Sequence, residues 1–250
     1  MAAAIAVLLP TALAFGGERT KQQITHVLEL FTSQGCSSCP PADAFLAEQV
    51  DKPHVLALSY HVDYWDYIGW RDTFGSEHND DRQAAYAKAF ANKMVYTPQL
   101  IINGHVDLVG SHIAKIERTM AEGGLATGPG AASLSVRRIG DSIHISAHDV
   151  ATPPGARKPM LVLVNFGDVA TVAVDRGENQ GKTLVSVHPV RSWQLMGMVG
   201  AEGMEVDMPL SSIIHDGAKT YGCAVLLQAV KSDGSPGPIL AATQIEIDPN

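Results

Sequence analysis

The chain has 250 residues, 46% of them apolar and 18% charged, with a formal net charge of −8. That balance suits a packed chain of one large or two modest domains rather than a disordered one. An acidic total without any Lys/Arg cluster argues against a nucleic-acid partner, and three cysteines are too few for a disulfide scaffold.

Residues Ala2 to Leu9 are short, apolar and uncharged, and Ala12-Leu13-Ala14 matches a small-x-small cleavage site. This resembles the end of a secretory signal peptide, although no Lys or Arg precedes the apolar run. The expectation is a leader over residues 1–20 and a periplasmic or secreted location. No later run approaches the ~18 apolar residues of a membrane span, so the mature chain is not expected to cross one.

Ile24 to Phe31 reads as a strand buried on both faces, interrupted by Glu29. Glu29 is either an acid at a sheet edge or a buried carboxylate that moves protons for the cysteines that follow. Those are Cys36 and Cys39, separated by Ser37-Ser38 and followed by a helix from Ala42 to Val50 with Pro40-Pro41 at its start. A Cys-x-x-Cys between a strand and a helix is the arrangement of a thiol–disulfide redox site. Unpaired amides and the positive end of the helix macrodipole lower a thiol pKa there, so Cys36 is the expected nucleophile and Cys39 the resolving thiol.

A second strand, His54 to Tyr60, runs into His61-Val62-Asp63-Tyr64-Trp65-Asp66-Tyr67-Ile68-Gly69-Trp70. Sites form beyond strand ends in open α/β sheets, so His61, Asp63 and Trp65 are candidate substrate contacts. The alternatives are a structural hydrogen bond for His61 and packing of a loop over the core for the aromatics. Glu77 to Lys93 is an Ala-rich helix. Thr97-Pro98 then precedes the apolar strand Gln99 to Ile102, where proline belongs at the first position. A cis Pro98 would turn the backbone of Thr97 toward the cysteines for a substrate to pair with. Asn103-Gly104 is a hairpin turn, and Ser111 caps a helix from His112 to Glu122.

This order of elements resembles the thioredoxin fold. More narrowly, the run Glu29 to Asp43, the segments His61 to Asp66 and Tyr96 to Gln99, and the stretch Arg176 to Lys182 resemble the DUF1223 family of secreted bacterial proteins, over most of the chain. The resemblance implies a thioredoxin-like fold with an added β-rich part, Cys36 as attacking thiol, Cys39 as resolving thiol and Pro98 as cis-proline. The family's activity is not established. Thioredoxins proper carry an aromatic residue where this chain has Gly35, Gly-Pro where it has Ser37-Ser38, and their buried acid one residue nearer the motif than Glu29.

Gly123 to Gly130 is a linker by composition. Beyond it, eight short alternating runs between Ser133 and Ile247, with turn signals between them, predict a β-sandwich. The fold expectation is therefore an α/β thioredoxin-like N-terminal domain over 21–122 and an all-β sandwich-like domain over 131–250. Arg176, Glu178 and Asn179 read as a polar turn held by its own hydrogen bonds, and Cys223 as a small buried hydrophobe. The functional expectation is a thiol–disulfide oxidoreductase using the Cys36–Cys39 disulfide, without another cofactor, on a protein or small dithiol. The alternatives are Cu(I) or Zn(II) held by the two thiolates and His61, and a permanent disulfide clip in an envelope interaction protein.

Overall fold

In the computed structural model, residues 23–152, 154–213 and 221–247 are described; the expected leader lies outside them. Strand β1 (His26–Thr32) leads through the dithiol loop into α1 (Pro40–Ala47), and β2 (Val55–His61) follows. Then come α2 (Glu77–Ala89), β3 (Gln99–Ile102), β4 (Val106–Val109) and α3 (Ile113–Glu122). The four strands form one sheet in the order β2-β1-β3-β4, with β1 and β2 parallel and the other pairs antiparallel. Asn103 and Gly104 both take positive φ in the β3–β4 turn, 51° and 70°, as the two central residues of a turn that the His105 amide closes onto the Ile102 carbonyl.

The remainder is β: β5 (Ser133–Ile139), β6 (Ser142–His148), β7 (Arg157–Gly167), β8 (Ala170–Ala173), β9 (Thr183–Ser186), β10 (Val190–Met198), β11 (Met204–Pro209), β12 (Tyr221–Val230) and β13 (Pro236–Ile247). They form a sheet β10-β7-β12-β13, a sheet β11-β6-β5 and a two-stranded hairpin β8-β9. Eight of these nine strands were legible from alternation. β11 was missed, although Met204, Val206 and Met208 alternate with Glu205 and Asp207.

The side chains of β1 separate the layers, as the period of two demands. Leu28 and Leu30 join Ala42, Phe45 and Leu46 of α1 and Ile116 of α3 on one face. Val27 and Phe31 point the other way, into a core shared with Val162, Val164 and Phe166 of β7 and Ala224 and Leu226 of β12. The opposite face of β7 and β12, carrying Leu161, Leu163, Val225 and Leu227, packs on Ile143 and Ile145 of β6.

The expected α/β thioredoxin-like N-terminal domain is thereby corrected. Strands hold 44% of the described residues and helices 17%, in several small sheets with few helices. The physical reason is what covers the first sheet. One face of an α/β layer would carry a second tier of helices; here that face carries α2 and otherwise lies against the β10-β7-β12-β13 sheet.

Candidate functional site around Cys36 and Cys39

Cys36 and Cys39 form a disulfide, with their Cα atoms 5.4 Å apart. Cys39 is the residue that caps α1, and Pro40 and Pro41 fill the first two helical positions. Neither proline has an N–H, and the amides of Ala42 and Asp43 both donate to the Cys39 carbonyl, at 2.9 and 3.1 Å. The first turn therefore offers no unpaired amide to a thiolate. Its electrostatic support is smaller than the strand-to-helix position alone implies. Both cysteines are fully buried, while Ser37 and Ser38 between them are exposed. The Cys36 sulfur lies 3.3 Å from Ser38 Oγ.

Hydrogen bonds from far along the chain hold the dithiol loop. The tip of the β8–β9 hairpin reaches over the loop, and the Asn179 side-chain amide donates to the carbonyls of Gln34 and Cys36, each at 2.9 Å. Lys182 Nζ donates to Asn179 Oδ1 at 2.9 Å, which fixes which end of the amide faces the loop. The Ser37 amide donates to Glu178 Oε2 at 3.1 Å, and hydrogen bonding from Ser37 lowers the pKa of this exposed carboxylate. Gly177, with a φ of +78°, lets the turn pass Trp70, whose Cβ would lie 3.3 Å from any added methyl. The turn is held by its own hydrogen bonds, as expected, through Lys182 to Asn179 and Gln180 N–H to the Gly177 carbonyl, but the Glu178 carboxylate and both Asn179 amide hydrogens serve the dithiol loop.

The candidates from the second strand divide. His61 is buried at the end of β2, opposite Thr32. Its Nδ1 lies 2.8 Å from Asp72 Oδ2, and its Nε2 is buried with no hydrogen-bond partner. Asp72 also accepts from the Gln34 amide at 2.7 Å, so this pair braces the dithiol loop from below. Burial works against the Asp72 charge, but His61 and the Gln34 and Phe74 amides outweigh it and hold the pKa below the usual carboxylate value. Trp65 packs where Gly35 has no side chain, 3.2 Å from a built Cβ, and its indole N–H donates to Thr97 Oγ1 at 2.8 Å. The Thr97–Pro98 bond is cis. Pro98 is buried and, with Leu30 and Ala42, crowds Gly110 beside the first turn of α1. Asp63 turns away toward Asp80. Burial, then side-chain hydrogen bonding to the Asp63 carboxyl, pushes the Asp80 pKa up to about 7, against the bond that the Asp63 amide donates.

Glu29 is not at the site. It faces the shared core, on the side of the sheet opposite α1, because its parity in β1 is that of Val27 and Phe31. There it is ion-paired with Arg82 at 2.6 Å and accepts from the Tyr86 hydroxyl. A carboxylate held by a guanidinium in the core is a structural charge, so the proton-moving role expected for Glu29 is withdrawn. The acid that does adjoin the dithiol is Asp43, which sequence reasoning passed over. It sits one helical turn after Cys39, hence on the same face, and accepts from Thr32 Oγ1 at 2.7 Å. Burial pushes its pKa up to about 6, against the opposing pull of His61. The signal was present: an acid four residues beyond the second cysteine on a short helix.

Among the described residues, no three His, Cys, Asp or Glu side chains are grouped to hold a metal ion, so the two sulfurs and His61 are not brought together as a ligand set. Cys223 is free and fully buried, and burial pushes its thiol pKa up.

The profile of the family described as "Protein of unknown function (DUF1223)" matches residues 27–228, a span that takes in the dithiol loop, the Trp65–Thr97 contact and the hairpin tip. The chain belongs to the DUF1223 family. The fold is similar to that of an Agrobacterium tumefaciens protein whose X-ray structure is 34% identical and superposes with a TM-score of 0.71, covering 90% of this chain and 95% of that one. No curated protein matches this DUF1223 member.

Proposed function

We propose that this DUF1223 protein is a thiol–disulfide oxidoreductase whose Cys36–Cys39 pair exchanges with a protein or small dithiol. The observation that carries the reading is that the disulfide joins cysteines only three residues apart. A bridge stabilises by closing a loop in the unfolded chain, and a loop of this size contributes only about 2 kcal/mol by the chain-entropy relation, against nearly 5 for a hundred-residue loop. The bond is poorly suited to clipping distant segments and well suited to opening and reclosing.

Exchange runs in balanced steps. A thiolate of the partner attacks Cys36 Sγ, the Cys36–Cys39 bond breaks, and Cys39 leaves as a thiolate that takes a proton. The partner's second thiol, deprotonated, attacks the mixed disulfide and frees Cys36. The partner ends oxidised and the protein reduced, and the reverse sequence oxidises a partner. Asp43, with a pKa near 6 and one turn from Cys39, is the group suited to pass that proton. A location outside the cytoplasm suits the oxidised form.

A second reading has its own observation. Both sulfurs are fully buried, which favours a closed, permanent bridge in an interaction protein. One experiment separates them: equilibrate the protein in a series of glutathione redox buffers and count free Cys36 and Cys39 by alkylation and mass mapping. An equilibrium within the glutathione range supports exchange; a bridge that stays oxidised under millimolar reduced glutathione refutes it in favour of the clip.

A further inference from the structure

The hairpin tip meets three main-chain groups of the dithiol loop: the carbonyls of Gln34 and Cys36, which accept from the Asn179 amide, and the amide of Ser37, which donates to Glu178. Two acceptors and one donor flanking a reactive cysteine are what a passing extended polypeptide would pair with, through its own N–H and C=O groups. We propose that the tip of the β8–β9 hairpin, Gly177 to Asn179, occupies in cis the docking positions of an extended polypeptide substrate, which must displace it to reach Cys36.

This rests on the exchange reading and narrows its substrate to a polypeptide dithiol or disulfide. Three features support it. Asn179 is completely buried and spends both amide hydrogens on the loop rather than on its own turn. Its remaining oxygen is held by Lys182, so the amide arrives already oriented. Glu178, an exposed carboxylate, accepts from the Ser37 amide, a contact that water or a substrate carbonyl can replace at small cost.

Both sulfurs are fully buried, and with the tip in the docking positions the rate at which a polypeptide reduces them scales with the fraction of molecules in which the tip is lifted. Asn179→Ala removes two hydrogen bonds, and Glu178→Ala, at an exposed position, removes one without threatening the fold. The test is single-turnover reduction of the Cys36–Cys39 disulfide under excess reductant. Two reductants are compared, dithiothreitol and a short unstructured peptide carrying two cysteines, with circular dichroism confirming the fold of each variant. The expected result is an acceleration on the order of tenfold for Asn179→Ala with the peptide, a smaller one for Glu178→Ala, and in both a smaller gain with dithiothreitol, which needs only a narrow opening. No acceleration with the peptide, or equal acceleration with both reductants, overturns the proposal. Failure of the exchange reading looks different: no equilibrium in the glutathione series, whatever the tip variants do to single-turnover rates.

Discussion

Breaking the Glu29–Arg82 pair is the sharpest check on the placement of Glu29. The pair is sealed: Glu29 has no side-chain exposure and Arg82 5%. The guanidinium lies over the rings of Tyr60, Tyr86 and Trp193, at 5.2 to 5.5 Å. Burial disfavours the charged Arg82, but the Glu29 charge overrides it and raises the pKa. At an effective dielectric of about 20, opposite charges roughly 4 Å apart attract by about 4 kcal/mol. Removing one partner strands the other, which costs about 3–5 kcal/mol. Arg82→Met is therefore expected to lower unfolding stability by about that much, read from the midpoint of urea denaturation at unchanged slope. Glu29→Gln/Arg82→Met should cost well under the sum of the singles, since neither charge is then left alone. Glu29→Gln should leave the pH dependence of dithiol reduction unchanged. A loss under about 1 kcal/mol for Arg82→Met would show the pair to be solvated like a surface one. A shifted reduction profile in Glu29→Gln would return Glu29 to the chemistry.

Asp43 is raised from 3.8 to about 6, so the folded chain keeps a proton that the unfolded chain releases. Stability should fall as pH rises through that interval, and Asp43→Asn, which can still accept from Thr32, should lack the fall and gain on the order of 3 kcal/mol above it; parallel pH curves for the two proteins would contradict this. Glu178 is lowered instead, so its hold on Ser37 is complete above the normal carboxylate range and lost as pH falls through the lowered pKa. Alkylation-trapped reduction of the dithiol should speed up on acidification, after correction for the reductant's own titration, more in wild type than in Glu178→Ala. Cys223, its thiol pushed up by burial, should resist alkylation until urea unfolds the chain, and labelling in the native state would show the strand opening. Gly104→Ala should cost at least ~1 kcal/mol, because φ is +70° and the added methyl would lie 2.8 Å from the Gly237 carbonyl oxygen; a neutral change would mean the turn relaxes away from β13.

Local signals carried the reading of the elements. Proline at the opening of α1, the Asn103-Gly104 turn and alternation in the later strands each act within a few residues, so the positions of β1 to β4 and α1 to α3 were legible to within a residue or two at most ends. The dithiol and the Trp65–Thr97 neighbourhood were legible for the same reason: motif residues adjoin strand ends. Glu29 was misread because parity tells which residues share a face but not which partner that face meets; Arg82, 53 positions on, decides it. The contacts of Glu178 and Asn179 with the dithiol loop are not legible, because nothing in an octapeptide says that some of its hydrogen bonds lie 141 and 143 residues away.

The sequence by itself settled where a disulfide could form and where strands and helices begin and end, since dihedral preference, capping and side-chain period are short-range effects. Only the tertiary structure decided that a second sheet, not a layer of helices, covers the inner face of the first, and that a distant hairpin hydrogen-bonds to the dithiol loop. Both depend on which buried surfaces find each other, and apolar attraction has no direction until the chain has closed its long loops.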